Sequence, residues 1–325
     1  MASALTVLPR PTARRPINTP WSIHAPTEAS FTSTFGNLLP PASFVNTGNG
    51  RAAYYELLPT LAEDQSKSPS RIMLIHGVQT PAIGLQPLAS ALASRLPHAH
   101  FVLLDLWGHG LTGTPFVAHE PAIFHSLLAS LMGKLGWQNA HFIGYSFGGS
   151  TTASFAAKHP EYVRSMVLVA PAGLIRSAQF NEVQMSYLQG GEGLEDRARD
   201  WILEFLEGGQ LVVPADWTEK VRQGQVVAEA VRDWENREHE GHLASVVGIF
   251  RDGGVLDQHA AFAAAAAQGI PSLSILGELD DLCSVQDLYD VGMNHVAVVP
   301  QVGHGVVRQK VPEVTQLIVD FWGKI

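Results

Sequence analysis

The chain has 325 residues, 46% hydrophobic and 16% charged, with a formal net charge of −9. That sign disfavours nucleic acid and anionic membrane surfaces as partners, and the single cysteine, Cys283, excludes an internal disulfide and a thiolate metal site. No apolar run approaches the roughly 20 residues that cross a bilayer.

The stretch from Met1 to Pro26 carries Arg10, Arg14 and Arg15 and no acid before Glu28, the composition of a transit peptide. However, Pro9, Pro11, Pro16, Pro20 and Pro26 forbid the amphipathic helix such a peptide needs. Residues 1–40 are therefore expected to form an N-terminal arm lying on the domain of a cytoplasmic protein. Two short alternating runs follow, Ser43 to Asn46 and Arg51 to Leu58, with Thr47-Gly48-Asn49-Gly50 between them as a hairpin turn. Ala62 to Arg71 is polar and reads as a loop.

The rhythm then changes. Apolar runs at Ile72 to Ile75, Phe101 to Leu104, His141 to Tyr145, Ser165 to Ala170, Ser272 to Leu276 and His295 to Val299 alternate with helical stretches. This predicts an α/β core over 41–174 and 256–325, a mostly parallel sheet with helices on both faces. One segment, 175–255, lacks a strand core and reads as an inserted helical lid. Its amphipathic stretches run from Asp196 to Leu206 and from Glu219 to Trp234, with breaks at Gly190-Gly191 and Gly208-Gly209. Ala260 to Ala267 has high helix propensity.

The chemistry begins at Gly144-Tyr145-Ser146-Phe147-Gly148, where an apolar strand meets a helical run. A sharp turn there needs a small residue at 144 and 148, where Gly144 and Gly148 stand, because side chains would strike the neighbouring strand and helix. The serine hydroxyl is then held out of the sheet at a helix N-terminus, beside unpaired backbone N–H groups. This strand–Ser–helix elbow resembles that of the α/β-hydrolase family, and three further loops carry the resemblance. His76-Gly77-Val78-Gln79 is similar to the family's His-Gly loop, which implies that the N–H groups of Val78 and Phe147 form an oxyanion hole. Asp105-Leu106-Trp107-Gly108-His109-Gly110 is similar to its Asp-x-x-Gly-x-Gly loop, with Asp105 and His109 in structural roles. The family order is serine, acid, histidine. Leu276-Gly277-Glu278-Leu279-Asp280-Asp281 then supplies the acid at Asp280, with Asp281 as the competing carboxylate. Val302-Gly303-His304-Gly305 supplies the base, His304. The resemblance implies that His304 takes the Ser146 proton while Asp280 holds the imidazole tautomer.

Gln79, Trp107, Tyr145 and Arg176 are the expected substrate contacts. Phe180, Met185, Tyr187, Leu188, Trp201, Phe205, Trp217 and Trp234 are expected to fill the lid's own core, with a minority reaching a ligand. His239-Glu240-Gly241-His242 lacks the zinc-helix spacing, since Leu243 stands where the second histidine belongs, and reads as part of a charged lid helix. His98-Ala99-His100 reads as loop surface. No phosphate or dinucleotide loop occurs, so neither cofactor nor metal is expected.

A serine at the elbow implies acyl transfer through an acyl-enzyme, on a carboxylic ester, lactone or thioester. The expected substrate is a small to medium, largely apolar ester or lactone. The alternatives are a carbon–carbon bond hydrolase of β-diketone-like acids, a biosynthetic acyltransferase or thioesterase, and a triad-bearing receptor with slow turnover. For the carbon–carbon hydrolase, Arg176 would hold the substrate acid, although Gly305 stands where those relatives place tryptophan.

Overall fold

A computed structural model describes residues 6–12, 21–62 and 69–325. Arg14, Arg15, Pro16, Pro20 and most of the polar loop before Arg71 lie outside the described residues. Eight strands form the main sheet: β1 (Ser43–Thr47), β2 (Gly50–Leu57), β3 (Arg71–Ile75), β4 (His100–Leu104), β5 (Ala140–Tyr145), β6 (Val163–Val169), β7 (Ser272–Gly277) and β8 (Val296–Val299). Their spatial order is β1-β2-β4-β3-β5-β6-β7-β8. The hairpin β1–β2 and the pair β2–β4 are antiparallel, and every other neighbouring pair is parallel. Each strand lies within two residues of its predicted run; the central runs, in β3 to β7, are buried on both faces and end at polar or glycine-rich turns.

The two-residue period of a strand divides the sheet into two cores. Met73, Ile75, Val102, Leu104, Phe142 and Met166 point into one apolar layer. Ile72, Leu74, Phe101, Leu103, Ile143 and Val167 point into the other. The first layer is covered by α3 (Pro121–Leu135), α4 (Phe147–Lys158) and α10 (His259–Ala267), and the second by α2 (Gln86–Arg95) and α13 (Val311–Trp322).

Between β6 and β7 the chain contributes helices and no strand of the main sheet. Ahead of α10 these are α5 (Glu182–Gln189), α6 (Glu195–Glu207), α7 (Trp217–Arg222), α8 (Ala228–Glu238) and α9 (His242–Asp252). The stretch from Glu219 to Trp234, expected as one piece, is two helices, because Gly224 takes a left-handed φ of 83° between them. The described part of the N-terminal segment packs against this block. Its helix α1 (Glu28–Phe35) presents Phe31 and Phe35 to Trp234, with ring centroids 5.5 and 5.9 Å away. Arg10 pairs with Asp252 at 2.7 Å and donates to the carbonyls of Leu188 and Gln189.

Seven of the fourteen histidines are buried: His76, His109, His119, His125, His141, His239 and His242. Burial lowers His76, His119, His125, His141 and His239 to about 4 and His242 to about 3, and drives His109 well below its ordinary value. An unfolded histidine titrates near 6.5, so between that pH and about 4 the unfolded chain binds protons that the folded chain refuses. Asp105, raised to about 6, Glu207, raised, and Glu235, raised well above its ordinary value, all by burial, act in the opposite sense over part of this range, but they are three groups against seven. Stability is therefore present above pH 6.5 and is lost as the pH falls towards 4. Urea-unfolding midpoints measured from pH 7.5 to 4.5 are expected to fall steadily on acidification; a flat or rising series would overturn this account.

Candidate functional site

The chain leaves β3 towards β4 on one side, and β5 lies on the other. The loops after β3 and β5 therefore meet at a topological switch point, where open α/β sheets bind their ligands. Ile75 and Gly144 are register partners, so both loops leave the sheet at the same height.

The β5–α4 turn is built on contacts that only glycine allows. A Cβ on Gly144 would lie 2.2 Å from the Gly148 carbonyl oxygen, and one on Gly148 would lie 2.1 Å from that of Ile75. A Cβ on Gly77 would meet the Ser146 side chain at 2.8 Å. Ser146 itself takes φ 54° and ψ −119°, a sparsely populated conformation for a residue with a side chain. Its surroundings enforce it. The Ser146 N–H donates to Val169 O at 3.0 Å, and its carbonyl accepts from Gly149, Ser150 and Ala172.

Held in this way, Ser146 Oγ lies 2.9 Å from His304 Nε2, and His304 Nδ1 lies 3.0 Å from Asp280 Oδ2. An ionised carboxylate only accepts, so Nδ1 carries the proton and Nε2 is left to accept from the serine hydroxyl. Asp280 Oδ1 accepts the Leu282 N–H at 3.2 Å, and the Asp280 side chain is wholly buried, whereas Asp281 is exposed. The acid and histidine loops touch through Gly277, where a Cβ would lie 2.4 Å from the carbonyl oxygens of Val302 and Gly303. Tyr145 stacks its ring at 5.3 Å from that of His304 and donates its hydroxyl to the His304 carbonyl.

Among the described residues, the backbone N–H groups of Val78 and Phe147 have no acceptor in the protein. The turn that presents Val78 is strained at Gln79, whose φ is 71°, and the Thr80 N–H reaches back to Val78 O at 3.0 Å. A buried histidine pins this turn. His109 Nδ1–H donates to Trp107 O at 2.9 Å, leaving Nε2 to accept the Gln79 N–H at 3.2 Å. His76 is pinned likewise, donating from Nδ1 to Gly77 O and accepting the Leu106 N–H at Nε2. Asp105 accepts from the Ala82 and Leu111 N–H groups and the Tyr55 hydroxyl, yet burial still pushes its carboxyl up to about 6. The pair Asp105 and His109 thus shapes the loops, as expected of structural groups.

A cavity of about 220 Å³ opens onto Ser146 and His304, lined by Val78, Gln79, Thr80 and Tyr145 from the core loops. Apolar Ala172, Ile175, Phe205, Leu206, Val255 and Leu282 contribute the remainder of one wall, and Glu229, Arg232, Arg308 and Gln309 add polar groups. Two expected substrate contacts are not brought there. Trp107 is fully buried with its indole donating to Ile123 O, because its side chain turns into the core. Arg176 is exposed and outside the cavity lining. The cavity's cations are Arg232 and Arg308 instead. Arg308 lies in the single-turn helix α12 (Val306–Gln309), four residues after His304, and this nearness in the chain could have flagged it. Of the aromatic residues named between β6 and β7, Phe205 alone lines the cavity; Phe180, Trp201 and Phe250 pack around it, and Trp234 faces α1.

Three other histidines lie elsewhere than expected. His239 and His242 are buried rather than on a charged helix face, donating to Thr112 O and Gly108 O and so tying α8 and α9 to the loop after β4. His100 opens β4, with Nε2 2.9 Å from Glu56 Oε2, rather than lying on a surface loop. Among the described residues, no group of three or more His, Cys, Asp or Glu side chains is arranged to hold a metal ion, and no helix is long and apolar enough to cross a membrane.

Residues 71–304 match the alpha/beta hydrolase fold family. The chain belongs to that family. It is 26% identical over 157 residues to the 2-(acetamidomethylene)succinate hydrolase of Mesorhizobium japonicum, a stretch covering 48% of this chain and 55% of that one. It is 30% identical over 129 residues to Lipase LipV of Mycobacterium tuberculosis, covering 39% of this chain and 47% of the lipase. The chain thus spans about half the length of these two relatives. Among solved structures, the enol-lactonase of Burkholderia xenovorans LB400 superposes with a TM-score of 0.61 at 18% identity, over 86% of this chain and 99% of that one, a likeness of fold.

The glycine contacts make a direct prediction. Gly148→Ala must displace the Ile75 backbone and is expected to cost about 3 kcal/mol or more, whereas Gly133→Ala, with nothing within 4 Å, should be neutral or stabilise α3 by up to ~1 kcal/mol. Urea unfolding of the two variants checks it, and equal stabilities would contradict the packing described.

Proposed function

We propose that this hydrolase-family protein is a serine hydrolase that cleaves a carboxylic ester or lactone of a small, largely apolar substrate through an acyl-enzyme. The observation that carries the reading is the continuous chain Ser146 Oγ–His304 Nε2 at 2.9 Å and His304 Nδ1–Asp280 Oδ2 at 3.0 Å, at the mouth of a cavity. His304 removes the hydroxyl proton as Ser146 Oγ attacks the carbonyl carbon, and Asp280 stabilises the imidazolium that forms. The Val78 and Phe147 N–H groups receive the carbonyl oxygen as it gains charge, each such donor being worth about 3 kcal/mol in the transition state. His304 then returns the proton to the leaving oxygen. Water enters, loses a proton to the same imidazole as it attacks the acyl carbon, and the imidazolium protonates Ser146 Oγ as its bond to that carbon breaks and the acid leaves.

The segment 175–255 acts as a lid in this reading, since Ile175, Phe205, Leu206 and Val255 wall the cavity and screen the reacting carbonyl from bulk solvent. Hydrolytic chemistry is also the stated activity of the relatives 2-(acetamidomethylene)succinate hydrolase and Lipase LipV. A cavity of about 220 Å³ is below the usual range for drug-sized ligands, which favours a compact substrate.

Ser146→Ala is expected to abolish labelling by a fluorophosphonate probe and to lower kcat on short p-nitrophenyl esters by up to ~10⁶-fold, because these groups act as a unit. Retained labelling and turnover would refute the assignment. Asp280→Asn should lower kcat about 10⁴-fold, while Asp281→Asn, at an exposed carboxylate, should stay within a few-fold of the parent; the reverse ranking would transfer the acid's role to Asp281.

A further inference from the structure

Besides His304, the cavity is lined by three charged side chains, Glu229, Arg232 and Arg308, and the first two are engaged with each other. Arg232 Nη1 lies 2.5 Å from Glu207 Oε2 and its Nη2 lies 3.4 Å from Glu229 Oε1. The third is Arg308. Among the described residues no carboxylate pairs with it, and its Nη1 is buried with no hydrogen-bond partner. That nitrogen lies against the turn after Thr80, 3.6 Å from where a Cβ on Gly84 would be. The guanidinium carbon is 5.3 Å from the Tyr145 ring centroid, and the His304 ring is 5.3 Å from the same centroid. The cation is therefore one aromatic ring away from the catalytic imidazole.

Arg308 as a whole is half-buried, but a guanidinium nitrogen cut off from water without a partner is costly, because its N–H groups have given up water for nothing. Tyr145 offers a π face that holds the cation but accepts no N–H in the plane of the fork. The fork's planar donors match a carboxylate, and the cavity is too small for a bulky anion. We propose that Arg308 is the anchor of a carboxylate subsite, so that the substrate is a small ester or lactone carrying a free acid group. Arg232 does not share this role, since Glu207 and Glu229 already occupy its donors. The proposal rests on the hydrolase reading for the position of the scissile bond, but the anion site itself does not.

The test separates the two. With Ser146→Ala protein, isothermal titration of glutarate should give saturable binding. Adding Arg308→Met should weaken it about 10- to 100-fold, with Arg308→Lys falling between. Glutaramide, of the same shape without charge, should be indifferent to both changes. In the protein with Ser146 intact, the ratio of kcat/KM for mono-p-nitrophenyl glutarate to that for p-nitrophenyl valerate should fall at least 10-fold in Arg308→Met and recover partly in Arg308→Lys. Absence of glutarate binding, or binding equally strong in the folded Met variant, overturns the carboxylate subsite. Arg308-dependent binding with no ester turned over keeps the subsite and overturns the hydrolase reading.

Discussion

Between β3 and the start of α4 there is no space for a side chain. The carbonyl oxygen of Ile75 occupies the place where a Cβ on Gly148 would be, and the Gly148 carbonyl occupies that of Gly144. This close approach of two backbones allows α4 to begin directly above the sheet, with Ser146 on the crest in a conformation it would not choose alone. The strain is sustained by bonds from Ser146 to Val169, Gly149, Ser150 and Ala172. The rest of the site depends on this point, since a hydroxyl displaced by an ångström would leave the 2.9 Å contact with His304.

Around that point the fold places a second layer of groups that react with nothing. His76 and His109 are kept neutral by burial, and each uses one ring nitrogen as donor and the other as acceptor. A neutral imidazole suits such a joint, because it satisfies one carbonyl and one N–H at once. Through His109 the loop after β4 supports the Gln79 turn, and through His239 and His242 the same loop is tied to α8 and α9. The helical block between β6 and β7 is thus held to the core by buried polar bonds as well as by apolar contact. The cost of this arrangement is sensitivity to acid.

Much of the architecture was legible in the residues. The apolar runs that became β3 to β8 are short, continuous and ended by glycine or polar turns, so their type and place follow from local pattern. Ser146 was legible from its place between Gly144 and Gly148 at a strand end, whereas Asp280 and His304 were read from the resemblance of their strand-following loops to those of the family; the structure shows close backbone approach at Gly144, Gly148 and Gly277. Other features depend on contacts between distant segments. Trp107 lies in a recognised loop, yet its side chain turns towards Ile123, and Arg176 stays exposed. The buried state of His239 and His242 needed the loop after β4 to be in place.

The sequence by itself determined the strand–helix alternation and the sharp turn at Ser146, because each is written in residues close together in the chain, and it supplied the short loops around Asp280 and His304 on which the family resemblance acts. Only the tertiary structure decided which carboxylate reaches His304, which side chains wall the cavity and which cation lacks a partner. Asp280 and Asp281 are adjacent in the chain, but one is buried against the imidazole and the other faces solvent. Arg232 and Arg308 are the same residue type, but only one meets Glu207 and Glu229. Burial and pairing are properties of segments far apart in the chain, and no local pattern encodes them.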